Sequence, residues 1–196
     1  MPADNKNVAS PDRLRELLLT AEEAAEMNSL GGQNDAAVLV PLYVDGGDLH
    51  AVFTKRRDDL RRHAGEISFP GGRPDHEGEE LRVTALREAE EEIGLPREDV
   101  DVVGALPPTG TFVTNYRIHP FVGVIAPGKE WEIEPREVDV VLELSVPDLI
   151  RGFEMQRLLR KGVPIKTPTY TVDGNFVWGA TARILQDLIE RLEPIL

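Results

Sequence analysis

Gly71-Gly72-Arg73-Pro74-Asp75-His76-Glu77-Gly78-Glu79-Glu80-Leu81-Arg82-Val83-Thr84-Ala85-Leu86-Arg87-Glu88-Ala89-Glu90-Glu91-Glu92-Ile93-Gly94-Leu95 is the stretch on which the reading of this chain turns. A glycine pair leads through a polar loop into helical periodicity from Glu79 to Ile93, with Leu86, Ala89 and Ile93 on one face at three- and four-residue spacing. Gly94 stands where such a helix ends, because a left-handed terminal residue costs glycine nothing. On the same helix Glu88, Glu91 and Glu92 fall at i, i+3 and i+4 and share the opposite, exposed face, while Glu90 points away.

Three like charges on one face repel. Taken alone, an acidic run is more often a solvated helix face. Bound to a hard divalent cation it becomes a site, since carboxylate oxygens suit Mg²⁺ or Mn²⁺. Mg²⁺ takes few protein ligands and leaves its other positions to waters and phosphate oxygens, the chemistry of phosphoryl transfer. The expected metal ligands are Glu88 and Glu92, with Glu91 as a third ligand or the group that positions the attacking water. Which glutamate acts as base stays open. Arg87, one turn away, orients the carboxylates through ion pairs and is counted with Glu88 and Glu91 among the catalytic residues.

Working outward, Ala36–Val44 is a nearly continuous apolar run and predicts a buried strand. Asp45-Gly46-Gly47-Asp48 is turn chemistry, and Leu49–Thr54 is the returning strand. Ser10 and Pro11 suit the cap and first position of a helix running to about Met27, behind a polar start at 1–9. Downstream, strands are predicted at Val100–Leu106, Ile118–Ile125 and Val138–Leu144. A short helix starts at Pro147, a last strand covers Phe176–Trp178, and a closing helix covers Thr181–Leu192. This order predicts an α+β fold, a mixed β-sheet packed between helices as an α/β/α sandwich. The expected organisation is an N-terminal tail and helix over 1–33 and one catalytic domain over 34–196.

The 196 residues carry a net charge of −13 and include no cysteine. So acidic a chain lacks the basic footprint that nucleic acid or an anionic membrane requires. It can still hold a small anion with a few local cations. Without cysteine there is no disulfide, thiolate metal site, iron–sulfur cluster or catalytic thiol. No apolar run reaches the ~20 residues of a membrane span, and the polar N-terminus has no signal-peptide core. The cytoplasm is the default location, and a homodimer is left open.

The segment 71–95 resembles the Nudix box, G-x5-E-x7-R-E-U-x-E-E-x-G-U with U apolar. Every position from Glu79 through Arg87-Glu88-Ala89-Glu90-Glu91-Glu92-Ile93-Gly94-Leu95 falls in register, and the loop from Gly72 to Glu79 is one residue longer. Upstream, Thr54, Arg56, Arg61, Gly65 and Phe69-Pro70-Gly71-Gly72 are similar to the signature of the coenzyme A diphosphatase branch, which carries the same longer loop. In that signature Arg57 replaces a small residue and Val52-Phe53 replace two leucines.

The resemblance implies a Nudix fold and Mg²⁺- or Mn²⁺-dependent hydrolysis of coenzyme A or an acyl derivative to 3′,5′-ADP and (acyl-)4′-phosphopantetheine. Arg56, Arg61, Gly71 and Gly72 are the implied substrate-binding residues. A planar guanidinium favours bidentate bonds to phosphate, although outside this register four loop arginines read as solvated charges. Rival readings are a Nudix enzyme for ADP-ribose, a dinucleoside polyphosphate or an oxidised nucleotide, and a silent nucleotide-binding Nudix domain. In the superfamily a glutamate from a distal loop can serve as base or extra ligand; Glu137 is a candidate, but reads better as a solvated strand-edge charge. His63 and His119 receive no role.

Overall fold

The computed structural model describes residues 9–27, 31–57, 59, 65–111, 115–160 and 163–196. Two short helices come first, α1 (Pro11–Leu17) and α2 (Ala21–Glu26). Strands β1 (Asn34–Asp45) and β2 (Asp48–Arg56) form a hairpin, followed by the two-residue strands β3 (Ile67–Ser68) and β4 (Gly71–Gly72). Helix α3 (Leu81–Ile93) leads to β5 (Asp101–Ala105), β6 (Thr109–Gly110), β7 (Tyr116–Val124) and β8 (Val138–Ser145). Then come α4 (Val146–Arg151), β9 (Phe153–Arg160), β10 (Val163–Val172), β11 (Asn175–Val177) and α5 (Gly179–Leu192).

Strand β1 lies at the centre of the larger sheet. It runs antiparallel to β2 and β4 and parallel to β7. The continuous apolar character of β1 follows from burial on both faces. Val40 and Leu42 point into one core, and Ala37, Leu39 and Tyr43 into the other, with the two-residue alternation of a strand. The Asp45↔Asp48 pair closes the hairpin over Gly46 and Gly47, both at positive φ (59° and 97°), as a tight turn of the right twist demands. The first core is covered by α1, α4 and α5, and the second by α3. The sheet therefore lies between helices, as the sequence predicts. A separate three-stranded sheet has the order β11-β10-β9. Among the described residues no helix is long and apolar enough to cross a membrane.

Two sequence expectations need correction here. The helix expected from Ser10 to Met27 is broken. Ser10 caps α1 and accepts from the Arg13 N–H, with Pro11 in the first turn. Leu19 then leaves the helix to exchange backbone hydrogen bonds with Ala105 (2.8 and 3.2 Å), and Thr20 with Glu23 builds a capping box that starts α2. Sheet pairing at Leu19 outweighs the continued helix. The second is an omission: the strand expected at Phe176–Trp178 is present as β11, but the hairpin β9–β10 before it is unforeseen.

Candidate active site

Helix α3 begins at Leu81 rather than Glu79, and Gly94 ends it at φ 65° with its N–H reaching back to Ala89 and Glu90. Ala85, Ala89 and Ile93 are fully buried against the sheet. Their small Cβ groups let α3 lie close to β1 and β4. The packed face is centred on Ala85 and Ala89 and leaves Leu86 at its margin. That rotation carries Glu92 inward to 7% exposure, so the expectation of an exposed Glu92 is corrected. Glu91 stays outside, with its side chain 59% exposed.

The glycine pair explains itself at this helix. The Gly71 N–H donates to Glu92 Oε2 (3.2 Å). A Cβ on Gly72 would lie 2.3 Å from Glu88 Oε1, and one on Gly71 would lie 2.3 Å from the Ala37 carbonyl. Strand β4 is therefore a bare backbone ledge on which Glu88 and Glu92 rest. Arg87, only 14% exposed, is the hub on the other flank. Its guanidinium bonds Glu79 Oε1 (3.1 Å), Glu88 Oε1 (3.1 Å), Glu91 Oε2 (3.2 Å) and the Arg73 carbonyl (2.9 Å). Glu79 also accepts from the Asp75 N–H (2.7 Å). Arg87 and this N–H hold the Glu79 carboxyl down at about 2.

Glu92 is pushed the other way, up to about 8, first by burial and then by the charges of Glu88 and Glu137, against the Gly71 hydrogen bond. Burial also raises Glu88, opposed by Arg87.

The segment after Glu132 completes the cleft. The Glu134 N–H donates to the Glu92 carbonyl at the end of α3 (2.9 Å). The Arg57 N–H and guanidinium donate to the carbonyls of Glu137 and Pro135. These ties bring Glu137 to Glu88, Glu91 and Glu92 around an open cleft of about 360 Å³, which Glu134 and Arg136 also line. Glu137 is an exposed side chain, as a solvated edge residue would be, but it faces the acidic cluster and is no isolated charge. Arg56 Nη1 stands 3.6 Å from Glu137 Oε2.

The structure thus gathers Arg87, Glu88, Glu91, Glu92, Gly71 and Gly72, with Arg56 at the edge. Arg61 and His63 lie outside the described residues. His119 pairs with Asp35 (2.9 Å), away from the cluster. Sequence reasoning missed Glu134 and Arg136; no local pattern marks them, because their place depends on the loop docking on α3.

A family model described as the NUDIX domain matches residues 33–156, and the chain belongs to the Nudix family. More particularly, it is similar to proteins named "Uncharacterized Nudix hydrolase NudL". The one from Cronobacter sakazakii is 38% identical over 158 residues, 80% of this chain and 81% of the relative. The one from Salmonella paratyphi B is 36% identical over the same shares. Among solved structures, the NUDIX domain of Shewanella oneidensis NrtR, complexed with ADP ribose, superposes with a TM-score of 0.54 at 15% identity. That match covers 89% of this chain and 96% of the other. The MutT protein from Methanosarcina mazei Go1 gives a TM-score of 0.52 at 15% identity, with 85% and 97% covered. These likenesses establish the fold, a mixed sheet flanked by helices.

Proposed function

We propose that this Nudix hydrolase cleaves the diphosphate bond of coenzyme A or an acyl-coenzyme A, releasing 3′,5′-ADP and (acyl-)4′-phosphopantetheine. The observation that carries the substrate is Arg56. It belongs to the 52–72 segment resembling the coenzyme A branch, and it stands against Glu137 at the edge of the acidic cleft.

The donor set fits a hard divalent cation. It consists of carboxylate side chains, that of Glu92 buried, and the charges of Glu88 and Glu137 raise the proton affinity of Glu92. Among the described residues no three such groups stand close enough together to hold an ion as they are. Glu88 and Glu92 would hold Mg²⁺ or Mn²⁺, with Glu91 as third ligand or water-positioning group. When bound, the ion neutralises diphosphate charge and acidifies a water. The protein's own part is orientation. Arg87 fixes the carboxylates of Glu88 and Glu91, the β4 ledge fixes Glu88 and Glu92, and Arg56 offers a guanidinium to phosphate oxygens.

The test is incubation with Mg²⁺ or Mn²⁺ and a panel of coenzyme A, acetyl-coenzyme A, ADP-ribose and a dinucleoside polyphosphate, with products identified by mass. Cleavage of the others but not of coenzyme A overturns the substrate assignment.

Two predictions follow from the site's construction. Mg²⁺ is expected to raise the melting temperature by several degrees, because a ligand of the folded state stabilises it by mass action. Calorimetry should show at least half of that gain lost in Glu88→Gln; an unchanged gain would move the ion elsewhere. Gly72→Ala should lower kcat/KM by roughly 100-fold, because its Cβ displaces the Glu88 carboxylate by about an ångström. The melting temperature should change little, since the clash is with the end of a flexible side chain. A full-rate Gly72→Ala would show that Glu88 tolerates the displacement.

A further inference from the structure

Arg56 borders a second cavity, of about 200 Å³, that the chemistry above does not use; Ser68, Tyr116, Trp178, Thr181 and Arg183 also line it. Three features give this cavity the character of an anion site. First, Arg56 lines the cavity, and its Nε is buried with no hydrogen-bond partner among the described residues. Second, Arg183, from the opposite element α5, is anchored by a 2.6 Å bond from Nη2 to the Gly110 carbonyl. Two guanidinium groups therefore share one cavity in a chain of net charge −13, and Glu66 is the one acidic side chain on its described lining. Third, the first turn of α5 lines the same cavity through Gly179, Ala180 and Thr181. Its N-cap, Trp178, provides no side-chain cap, and the opening turn of a helix carries the positive end of its dipole.

We propose that this cavity is the subsite for a phosphate monoester carried by the substrate at a distance from the scissile diphosphate. Arg183 is the residue that selects for it. The inference rests on the coenzyme A reading, in which that group is the 3′-phosphate of the ribose. Arg56 borders the cavity and also pairs with Glu137 of the catalytic cleft, so one guanidinium separates the scissile diphosphate from the remote phosphate. Ser68, Tyr116 and Thr181, which also line the cavity, are hydroxyl-bearing residues of the kind that bind a phosphate.

The test uses a matched pair, coenzyme A and 3′-dephospho-coenzyme A, which differ only in the group the cavity would hold. Wild type should prefer coenzyme A. Arg183→Gln should lose on the order of 10- to 100-fold in kcat/KM on coenzyme A and remain within about threefold of wild type on the dephospho compound. Arg183→Lys should recover part of the loss. Equal losses on both substrates would reduce Arg183 to a support for Gly110 and overturn the subsite.

Calorimetric binding of 3′,5′-ADP and 5′-AMP to wild-type protein with Mg²⁺ needs neither turnover nor a folded variant. Tighter binding of 3′,5′-ADP supports the subsite even if coenzyme A is not cleaved, in which case only the substrate assignment fails. Equal affinities overturn the subsite whatever the enzyme cleaves.

Discussion

Glu92→Gln is expected to lose at least on the order of 100-fold in kcat/KM, yet to be more stable than wild type when metal is chelated at alkaline pH. The two effects share one cause. Burial between α3 and β4, beside Glu88 and Glu137, raises the Glu92 carboxyl from 4.5 to about 8. Below pH 4.5 the group is protonated whether the chain is folded or not, and glutamine changes little. As pH rises from 4.5 toward 8 the unfolded chain gives up the proton and the folded one keeps it. Stability is lost through that window and the loss is complete above it. Glutamine keeps the shape without the charge, so its advantage should grow from about pH 5 and level off above 8. At pH 9 the gain is on the order of 2–4 kcal/mol, or about 5–10 °C in melting temperature. Saturating Mg²⁺ should shrink or reverse the advantage, because only wild type offers the ion this carboxylate. Thermal melts in chelator from pH 5 to 9, run beside turnover, decide it. A glutamine variant with no stability gain at pH 9 would mean that Glu92 is not a buried charge awaiting a cation.

A buried carboxylate resting on a glycine ledge is the signature of a site, and only half of it is legible in the sequence. The period of α3 placed Glu88, Glu91 and Glu92 together, but periodicity is blind to how far a helix is rolled on its sheet. Leu86, a larger apolar residue than Ala85, drew the inferred packing face toward itself. In the structure the alanines mark the close contact, because only small side chains allow it, and Glu92 turns inward with them. Glu137 was legible as a candidate but not as a neighbour. The tie from Glu134 to the Glu92 carbonyl, which brings it across, spans residues far apart in the chain.

The strands β1 and β2 were legible because burial on both faces writes an unbroken apolar run. The hairpin β9–β10 was not. The alternation of β9 breaks at Arg157-Leu158-Leu159-Arg160, and β10 carries Pro164 and Pro168, which argue against a strand. The break after α1 is likewise tertiary. Thr20 and Glu23 do carry a local start signal for α2, but what takes Leu19 out of the helix is its pairing with the backbone of Ala105.

Arg87→Met should be the change on the helix most damaging to folding, and it should slow the reaction as well. Methionine fills similar volume but removes the donor that Glu79, Glu88 and Glu91 share. The Glu79 side chain is 7% exposed and would keep its charge with only the Asp75 N–H and the Thr84 hydroxyl for support. Breaking a part-buried pair by deleting one partner leaves the other's charge uncompensated. A melting-temperature drop of roughly 5–10 °C at pH 7 is expected, together with about a 100-fold loss of kcat/KM as Glu88 and Glu91 lose their orientation. The acid limb separates this cause from a simple packing defect. Arg87 depresses the Glu79 carboxyl to about 2, so the pair's contribution is fully present above the ordinary value of 4.5 and is lost as pH falls from there toward 2. Wild type should therefore lose melting temperature more steeply than Arg87→Met below pH 4.5, and the gap between them should narrow. A gap as wide at pH 3 as at pH 7 would assign the damage to packing, and Arg87 would cease to be the residue that organises the acidic face.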